Sequence, residues 1–240
     1  MTQVASDLDL DLAIDVVNFE LNGRKIKAKS SQTLIEIAKH EGIEIPHLCY
    51  KSGMESVGNC RACVVEIEGE RVLAPSCCRY PSENMKVQTD SARALVSQKM
   101  VLELLQSDMP STAYTLNNEL DQWSLAMSLG KPRYAPRPKV QQDVTHAAIT
   151  VNLDACIQCT RCVRACRDEQ VNDVIGFAFR GAHSQVVFDM DDPMGDSTCV
   201  GCGECVQACP TGALMPAQEV GLVKADRLVD SLCPYCGVGC

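Results

Sequence analysis

Sixteen cysteines in 240 residues fall into four groups whose spacings suit iron-sulfur clusters better than disulfides or zinc. Two of the groups, Cys156-x2-Cys159-x2-Cys162-x3-Cys166 and Cys199-x2-Cys202-x2-Cys205-x3-Cys209-Pro210, recur with a period of 43 residues. Three thiolates on one tight loop can reach three iron corners of a cubane, while a fourth, entering a helix, points elsewhere, so ligation crosses between the runs. The expected 4Fe-4S sets are therefore Cys156, Cys159 and Cys162 with Cys209, and Cys199, Cys202 and Cys205 with Cys166. Gly201 and Gly203 let backbone amides approach the cluster sulfurs, and hydrogen bonds there help set the potential. Structural zinc also uses C-x2-C pairs, but separates two such pairs by about a dozen residues or more. The third group is Cys49-x10-Cys60-x2-Cys63-x13-Cys77, with Cys78 beside the last cysteine, and the fourth is Cys233-x2-Cys236-x3-Cys240. This last group offers three thiolates, so a fourth ligand must come from beyond the C-terminus or from another chain.

Composition narrows the setting. The 31 acidic and 22 basic residues give a formal charge of -9, and no Lys/Arg stripe is interleaved with aromatics, so nucleic acid is not an expected partner. No apolar run approaches the roughly 20 residues of a membrane span, and no signal-like segment follows Met1. Thiolates kept available for metal fit a reducing, cytoplasmic setting. Aromatics make up only 4% of the chain, so large aromatic cores are not expected to hold it together. His40, His47, His146 and His183 are scattered and read as ordinary polar or packing residues. No Walker loop, GxGxxG fingerprint or Ser-His-Asp spacing is present, so the chain is not expected to bind a nucleotide or perform hydrolysis itself.

The elements that must carry the cysteines are readable in part, and they indicate an α+β chain. After an acidic lead-in (1–14), the first domain (15–90) opens with strands Val16 to Leu21 and Arg24 to Ala28 joined by an Asn22-Gly23 turn of type I′. A helix capped by Ser31 should follow, with Leu34, Ile35 and Ala38 on one face and Gly42 at its end. A second hairpin is expected across Glu68-Gly69-Glu70, from Val64–Ile67 to Arg71–Ala74, with a closing strand at Met85–Thr89. Asp90 should cap a helix running to about Gln106, and Lys131 to Pro138 reads as an extended proline-rich spacer, both within a 91–146 segment. The repeated module occupies 147–226, with strand-like runs at Val174–Phe179 and Gln185–Phe188, and 227–240 begins a further domain.

The repeated module resembles the bacterial two-4Fe-4S ferredoxins from about Ala147 to Pro216, with Arg167 standing where the first run would have the family's proline. The Cys49–Cys77 spacing resembles the 2Fe-2S domain at the N-terminus of the largest peripheral subunit of complex I and of iron hydrogenases. That resemblance implies a ubiquitin-like (β-grasp) ferredoxin fold over about Val16 to Thr89. It also implies Cys49, Cys60, Cys63 and Cys77 as 2Fe-2S ligands, because a small residue preceding the last ligand cysteine favours Cys77 over Cys78, which becomes a packed thiol. In those relatives a His plus three Cys motif for another 4Fe-4S cluster follows, whereas Ser107 to Lys139 contains neither residue type, so that cluster should be absent. The segment Cys233-Pro234-Tyr235-Cys236-Gly237-Val238-Gly239-Cys240 resembles the entrance of molybdopterin oxidoreductases, formate dehydrogenases above all. In sum the chain is similar to the N-terminal iron-sulfur region of cytosolic NAD-dependent formate dehydrogenase alpha subunits. The resemblance implies a molybdenum or tungsten bis-pterin centre and catalytic residues in the rest of the subunit, beyond residue 240. It further implies a diaphorase-type NAD/FMN partner. Assimilatory nitrate reductase, iron hydrogenase and a self-contained electron carrier are the rival readings.

Overall fold

A computed structural model describes residues 16–217 and 222–232. The acidic lead-in and Cys233, Cys236 and Cys240 lie outside the described residues.

The Asn22-Gly23 turn forms as expected between β1 (Val16–Leu21) and β2 (Arg24–Lys29), with φ of 50° and 80° at its two central residues. Both residues sit in the left-handed region that a type I′ turn demands. The following helix, α1 (Leu34–His40), starts later than expected. Its N-cap is Thr33, whose backbone N–H donates to the Glu36 carboxylate at 2.8 Å. The T-x-x-E pattern outcompetes Ser31 because the acidic side chain satisfies an amide that the first helical turn leaves without a partner. Gly42, at φ 72°, ends the helix as expected. The second hairpin is shorter than its sequence pattern. β3 (Val64–Ile67) pairs with β4 (Ala74–Pro75), Val65 opposite Ala74, and residues 68–73 form the loop. β5 (Lys86–Gln88) then inserts centrally, parallel to β1 and antiparallel to β3, giving the order β2-β1-β5-β3-β4. Phe19, Leu21, Val65 and Val87 close the core against Leu34, Ile35, Ile37 and Ala38 of α1, and Cys63 and Cys77 belong to the same cluster.

Ser91, one residue after the expected Asp90, caps α2 (Ala92–Ser107) by accepting the Ala94 N–H at 3.2 Å. The buried Gln98 amide donates to Val64 O at 2.9 Å and Thr89 O at 3.2 Å, which pins α2 on the sheet. An unexpected helix, α3 (Glu119–Ala126), packs on α2 through Leu102 and Leu120, both fully buried. Its cap Asn118 and the acidic Glu119 and Asp121 in its first turn favour helix initiation. The proline-rich stretch is extended but tethered. Arg133 pairs with Glu103 at 2.7 Å and Arg137 with Asp108 at 2.7 Å.

In the repeated module β6 (Ile149–Val151) pairs with the last strand of the fold, and α4 (Arg161–Arg164) runs into a π-helical turn over Ala165–Glu169. β7 (Ile175–Ala178) and β8 (Gln185–Phe188) form the expected hairpin, with Ile175 opposite Phe188. α5 (Glu204–Ala208) and β9 (Leu214–Pro216) complete it, β9 lying antiparallel to β6. The departure at Arg167 has a visible effect. Pro210 forces Cys209 out of helical geometry, at ψ 122°, and ends α5, whereas Arg167 lets the first run continue through Glu169.

Candidate metal centres

The Cys49 loop sits where α1, the sheet and α2 meet. Cys49, Cys63 and Cys77 are buried and Cys60 is half-buried. Cys49 N–H donates to Cys60 Sγ and Cys60 N–H to Cys49 Sγ, both at 3.4 Å, so the two ligand candidates hold each other's sulfur in place. The four thiols also perturb one another. Hydrogen bonds from Cys60 and Cys77 hold Cys49 far below the usual thiol range, and the bond from Cys77 draws Cys63 down to about 7. Cys60 and Cys77 are pushed up, chiefly by sharing those protons with Cys49 and then, for Cys77, with Cys63. The structure thus brings Cys49, Cys60, Cys63 and Cys77 together. Cys78 Sγ lies 3.6 Å from Cys77 Sγ but on the exposed side, against Gly58.

In the repeated module Cys156, Cys159, Cys162 and Cys209 line one small apolar cavity, walled by Leu153 and Val186. Burial raises the Cys156 thiol to about 11 and that of Cys159 to about 12, and pushes Cys162 well above the ordinary value. Cys205 is pushed up to about 12, first by burial and then by the thiols of Cys199, Cys202 and Cys166, the other crossed set. Cys202 is exposed, and so marks the more open end of the module. A buried thiol without a countercharge keeps its proton, and bound iron removes it outright. Among the described residues no three His, Cys, Asp or Glu side chains converge as ligands of a single ion would. A polynuclear cluster instead needs its thiolates spread around a common volume, and the four-cysteine cavity fits that demand.

Both loops of the module use the same backbone device. Gln158 N–H reaches Cys156 Sγ and Gly201 N–H reaches Cys199 Sγ, each at 3.4 Å. The turns need left-handed residues at equivalent places: Gln158 and Thr160 at φ 55° and 65°, Gly201 and Gly203 at 67° and 82°. Glycine is thus not obligatory for the turn, although a side chain there is strained.

The first set meets the module directly. Cys49, Leu48 and Ala62 share one apolar cluster with Ile157 and Cys159, with Cys60 packed against it. Cys162, Cys166 and Cys205 continue in a second cluster, against which Cys156, Cys199 and Cys209 pack. Asn59 donates to Gln158 O at 2.8 Å and Lys51 to Gln207 O at 3.0 Å across the same seam. Arg161 donates to Tyr50 O and pairs with Glu119 at 2.6 Å, while Arg164 donates to Cys49 O. Neither arginine is apparent from the sequence. Each is one basic residue inside a cysteine run, and the acceptors through which it grips the first domain, Tyr50 O for Arg161 and Cys49 O for Arg164, are backbone carbonyls more than 100 residues away. His47 behaves as expected: its Nδ1–H donates to Ile45 O at 2.8 Å and its ring packs against Tyr50 and Trp123.

Residues 15–92 match the 2Fe-2S iron-sulfur cluster binding domain family, and residues 155–213 match the 4Fe-4S dicluster domain family. The chain carries two iron-sulfur cluster-binding domains. It is 34% identical over 233 residues to the NADP-reducing hydrogenase subunit HndD of Solidesulfovibrio fructosivorans, covering 90% of this chain and 40% of that protein. It is 28% identical over 234 residues to an NADH-quinone oxidoreductase subunit of Rhizobium meliloti (strain 1021), covering 94% of this chain and 27% of the relative. A Staphylococcus haemolyticus (strain JCSC1435) protein named "Putative formate dehydrogenase" is 28% identical over 210 residues, 84% of this chain and 21% of its own length. The chain therefore spans less than half the length of these curated relatives. Among solved structures, an NAD+-reducing NiFe hydrogenase in the H2-reduced state superimposes with a TM-score of 0.79 at 25% identity, over 87% of this chain and 90% of that one. These iron-sulfur domains are of the kind found in oxidoreductase subunits, and no helix of the described residues is long and apolar enough to cross a membrane.

Proposed function

We propose that this chain is the iron-sulfur electron-transfer region of a formate dehydrogenase catalytic subunit, passing electrons between a molybdenum or tungsten bis-pterin centre and an NAD-reducing, diaphorase-type partner. One observation carries the electron-transfer part: Cys49 and Cys159, from two separate ligand sets, pack in one apolar cluster with no intervening domain. Bound clusters would supply one-electron oxidation and reduction at Cys49, Cys60, Cys63 and Cys77, at Cys156, Cys159, Cys162 and Cys209, and at Cys199, Cys202, Cys205 and Cys166. The chain's own part is to hold these thiolates in place, exclude water from the Cys156 cavity and present amides to the sulfurs. The order β2-β1-β5-β3-β4 beside α1 supports a β-grasp assignment for the first domain, and the paired α4 and α5 runs support a double-ferredoxin assignment for the second.

The formate part rests on Cys233 to Cys240, whose spacing and two glycines resemble the cluster-binding entrance of molybdopterin enzymes, and on the name borne by the staphylococcal relative. A second reading, electron transfer for a hydrogenase, is favoured by the 34% identity to HndD and by the superposition on the hydrogenase structure. Anaerobic purification of the natural holoenzyme followed by EPR decides between them. Reduction of the cluster signals by formate and not by hydrogen supports the first reading, and the reverse result replaces it with the second. Zinc in place of iron and acid-labile sulfide would overturn electron transfer itself.

A further inference from the structure

We infer that Arg164 is the electrostatic link between the 2Fe-2S centre and the nearer 4Fe-4S centre, a buried cation whose counter-charge is the clusters themselves. The inference rests on the ligand sets proposed above. Arg164 lies on α4 between Cys162 and Cys166 and is only 2% exposed. Its guanidinium donates to Glu55 O at 2.5 Å and to Cys49 O, so it grips the backbone of the first cysteine loop at a ligand residue. Carbonyl oxygens are its only hydrogen-bond acceptors among the described residues. No carboxylate lies within ion-pair distance of it there: Asp168, four residues on, feels its charge but is bound by Arg167, and the Arg164 Nε–H has no partner.

Arg161 sets the contrast. It is as deeply buried, yet it is neutralised by Glu119 and acts as a clasp between α3, Tyr50 and the Ala208 carbonyl. A guanidinium taken out of water without an opposite charge is costly, and carbonyl dipoles compensate it only in part. A tetrathiolate cluster is anionic and gains a further negative charge when it is reduced. Two such sets are tied to Arg164, one through the hydrogen bond to Cys49 O and the other along α4, where Cys162 lies two residues before it; Cys166 of the third set follows two residues after it. The arginine therefore favours the reduced state of both and holds their loops in contact. Because the charge is buried, bulk salt screens it little.

The test is a redox titration, followed by EPR, of the anaerobically purified holoprotein. Arg164→Gln should lower the midpoints of the 2Fe-2S and nearer 4Fe-4S signals. At the wild-type midpoint the reduced-to-oxidised ratio should fall about tenfold, equivalent to about 59 mV for one electron. Arg93→Gln, which removes an exposed cation from α2, is the control and should leave both midpoints in place. Unchanged midpoints in an iron-replete Arg164→Gln protein overturn the inference. If that variant loads no iron, Arg164→Lys decides, since it keeps the charge but shortens the reach. Wild-type midpoints in the lysine variant uphold the charge role, whereas lowered midpoints or failure to load iron assign Arg164 to loop positioning alone and overturn it. Iron and sulfide in the wild-type protein are measured alongside, so failure of the cluster assignment itself is distinguished from failure of this inference.

Discussion

Thr160 and Gly203 occupy the same left-handed turn in the two halves of the repeated module, 43 residues apart, at φ 65° and 82°. Glycine adopts that conformation freely, whereas a β-branched residue is strained there by about 1–2 kcal/mol. Thr160 gains nothing visible in return, since its buried hydroxyl oxygen has no hydrogen-bond partner. Thr160→Gly should therefore stabilise the loaded protein by about 1 kcal/mol, raising the thermal bleaching midpoint of the cluster absorbance by about 2–4 °C. Gly203→Thr should lower it by a similar amount or more. A lowered midpoint in Thr160→Gly would show that the threonine side chain is needed in the loop.

Cys77 and Cys78 are adjacent in sequence yet differ fully in environment. Cys77 is entirely buried against Cys49 and Cys63, and Cys78 is exposed. Cys77→Ser should abolish or strongly alter the 2Fe-2S EPR signal, and in the double variant Cys77→Ser/Cys78→Ser iron should fall by about two atoms per chain. Cys78→Ser alone should leave both iron content and signal at wild-type levels. Loss of the signal in the Cys78 variant would exchange their roles.

Arg161 clasps three segments through a buried side chain, reaching Tyr50 O, the Ala208 carbonyl and Glu119. Arg161→Met preserves much of the volume and removes every polar bond. Glu119 is a third exposed and is rehydrated once the arginine is gone, so the loss falls mainly on the two carbonyls left without a donor, about 1–3 kcal/mol each. The variant should unfold at lower denaturant concentration and expose the seam between the 2Fe-2S domain and the module to limited proteolysis, with a protection loss in hydrogen exchange at residues 48–52 and 119–121. Unchanged exchange at both segments would show that the apolar cluster around Leu48, Leu102 and Ile157 holds the seam alone.

The features legible in the sequence were local. The cysteine spacing, the 43-residue repeat and the Asn22-Gly23 turn each depend on residues close in the chain, and among the described residues the structure gathers Cys49, Cys60, Cys63 and Cys77 and places Cys156, Cys159, Cys162 and Cys209 around one cavity. Helix boundaries shifted by a few residues because competing caps lie side by side: Thr33 with Glu36 displaces Ser31, and Ser91 displaces Asp90. The helix α3 was missed although Asn118 and the acidic first turn signalled it, because its apolar face is short, with only Leu120 and Ser124 buried. The docking of the two domains was illegible for a different reason. Its polar bonds run from Arg161, Arg164, Asn59 and Lys51 to backbone carbonyls, which every residue possesses, so no complementary side chain marks the partner.

The proline-rich stretch is held along α2 by a charge that can be titrated. Arg133 donates to Glu103 Oε1 through both its backbone N–H, at 3.1 Å, and its Nε–H, at 2.7 Å, and reaches Oε2 through Nη2 at 2.7 Å. The hydrogen bond from the Arg133 side chain holds the Glu103 carboxyl below its ordinary value. A depressed folded-state value means that the tether's contribution is complete above the unfolded carboxylate value, about 4.3, and is lost as pH falls through the lower folded value. Protection of the Arg133 amide should therefore hold from pH 7 to 5 and decline on further acidification. In Glu103→Gln that protection should be weak across the range, and at neutral pH trypsin should cut after Arg133 faster than in the wild type, since Lys131 and Arg137 are each followed by proline. Equal cleavage rates in the two proteins would mean that the Arg137 to Asp108 pair alone fixes the segment.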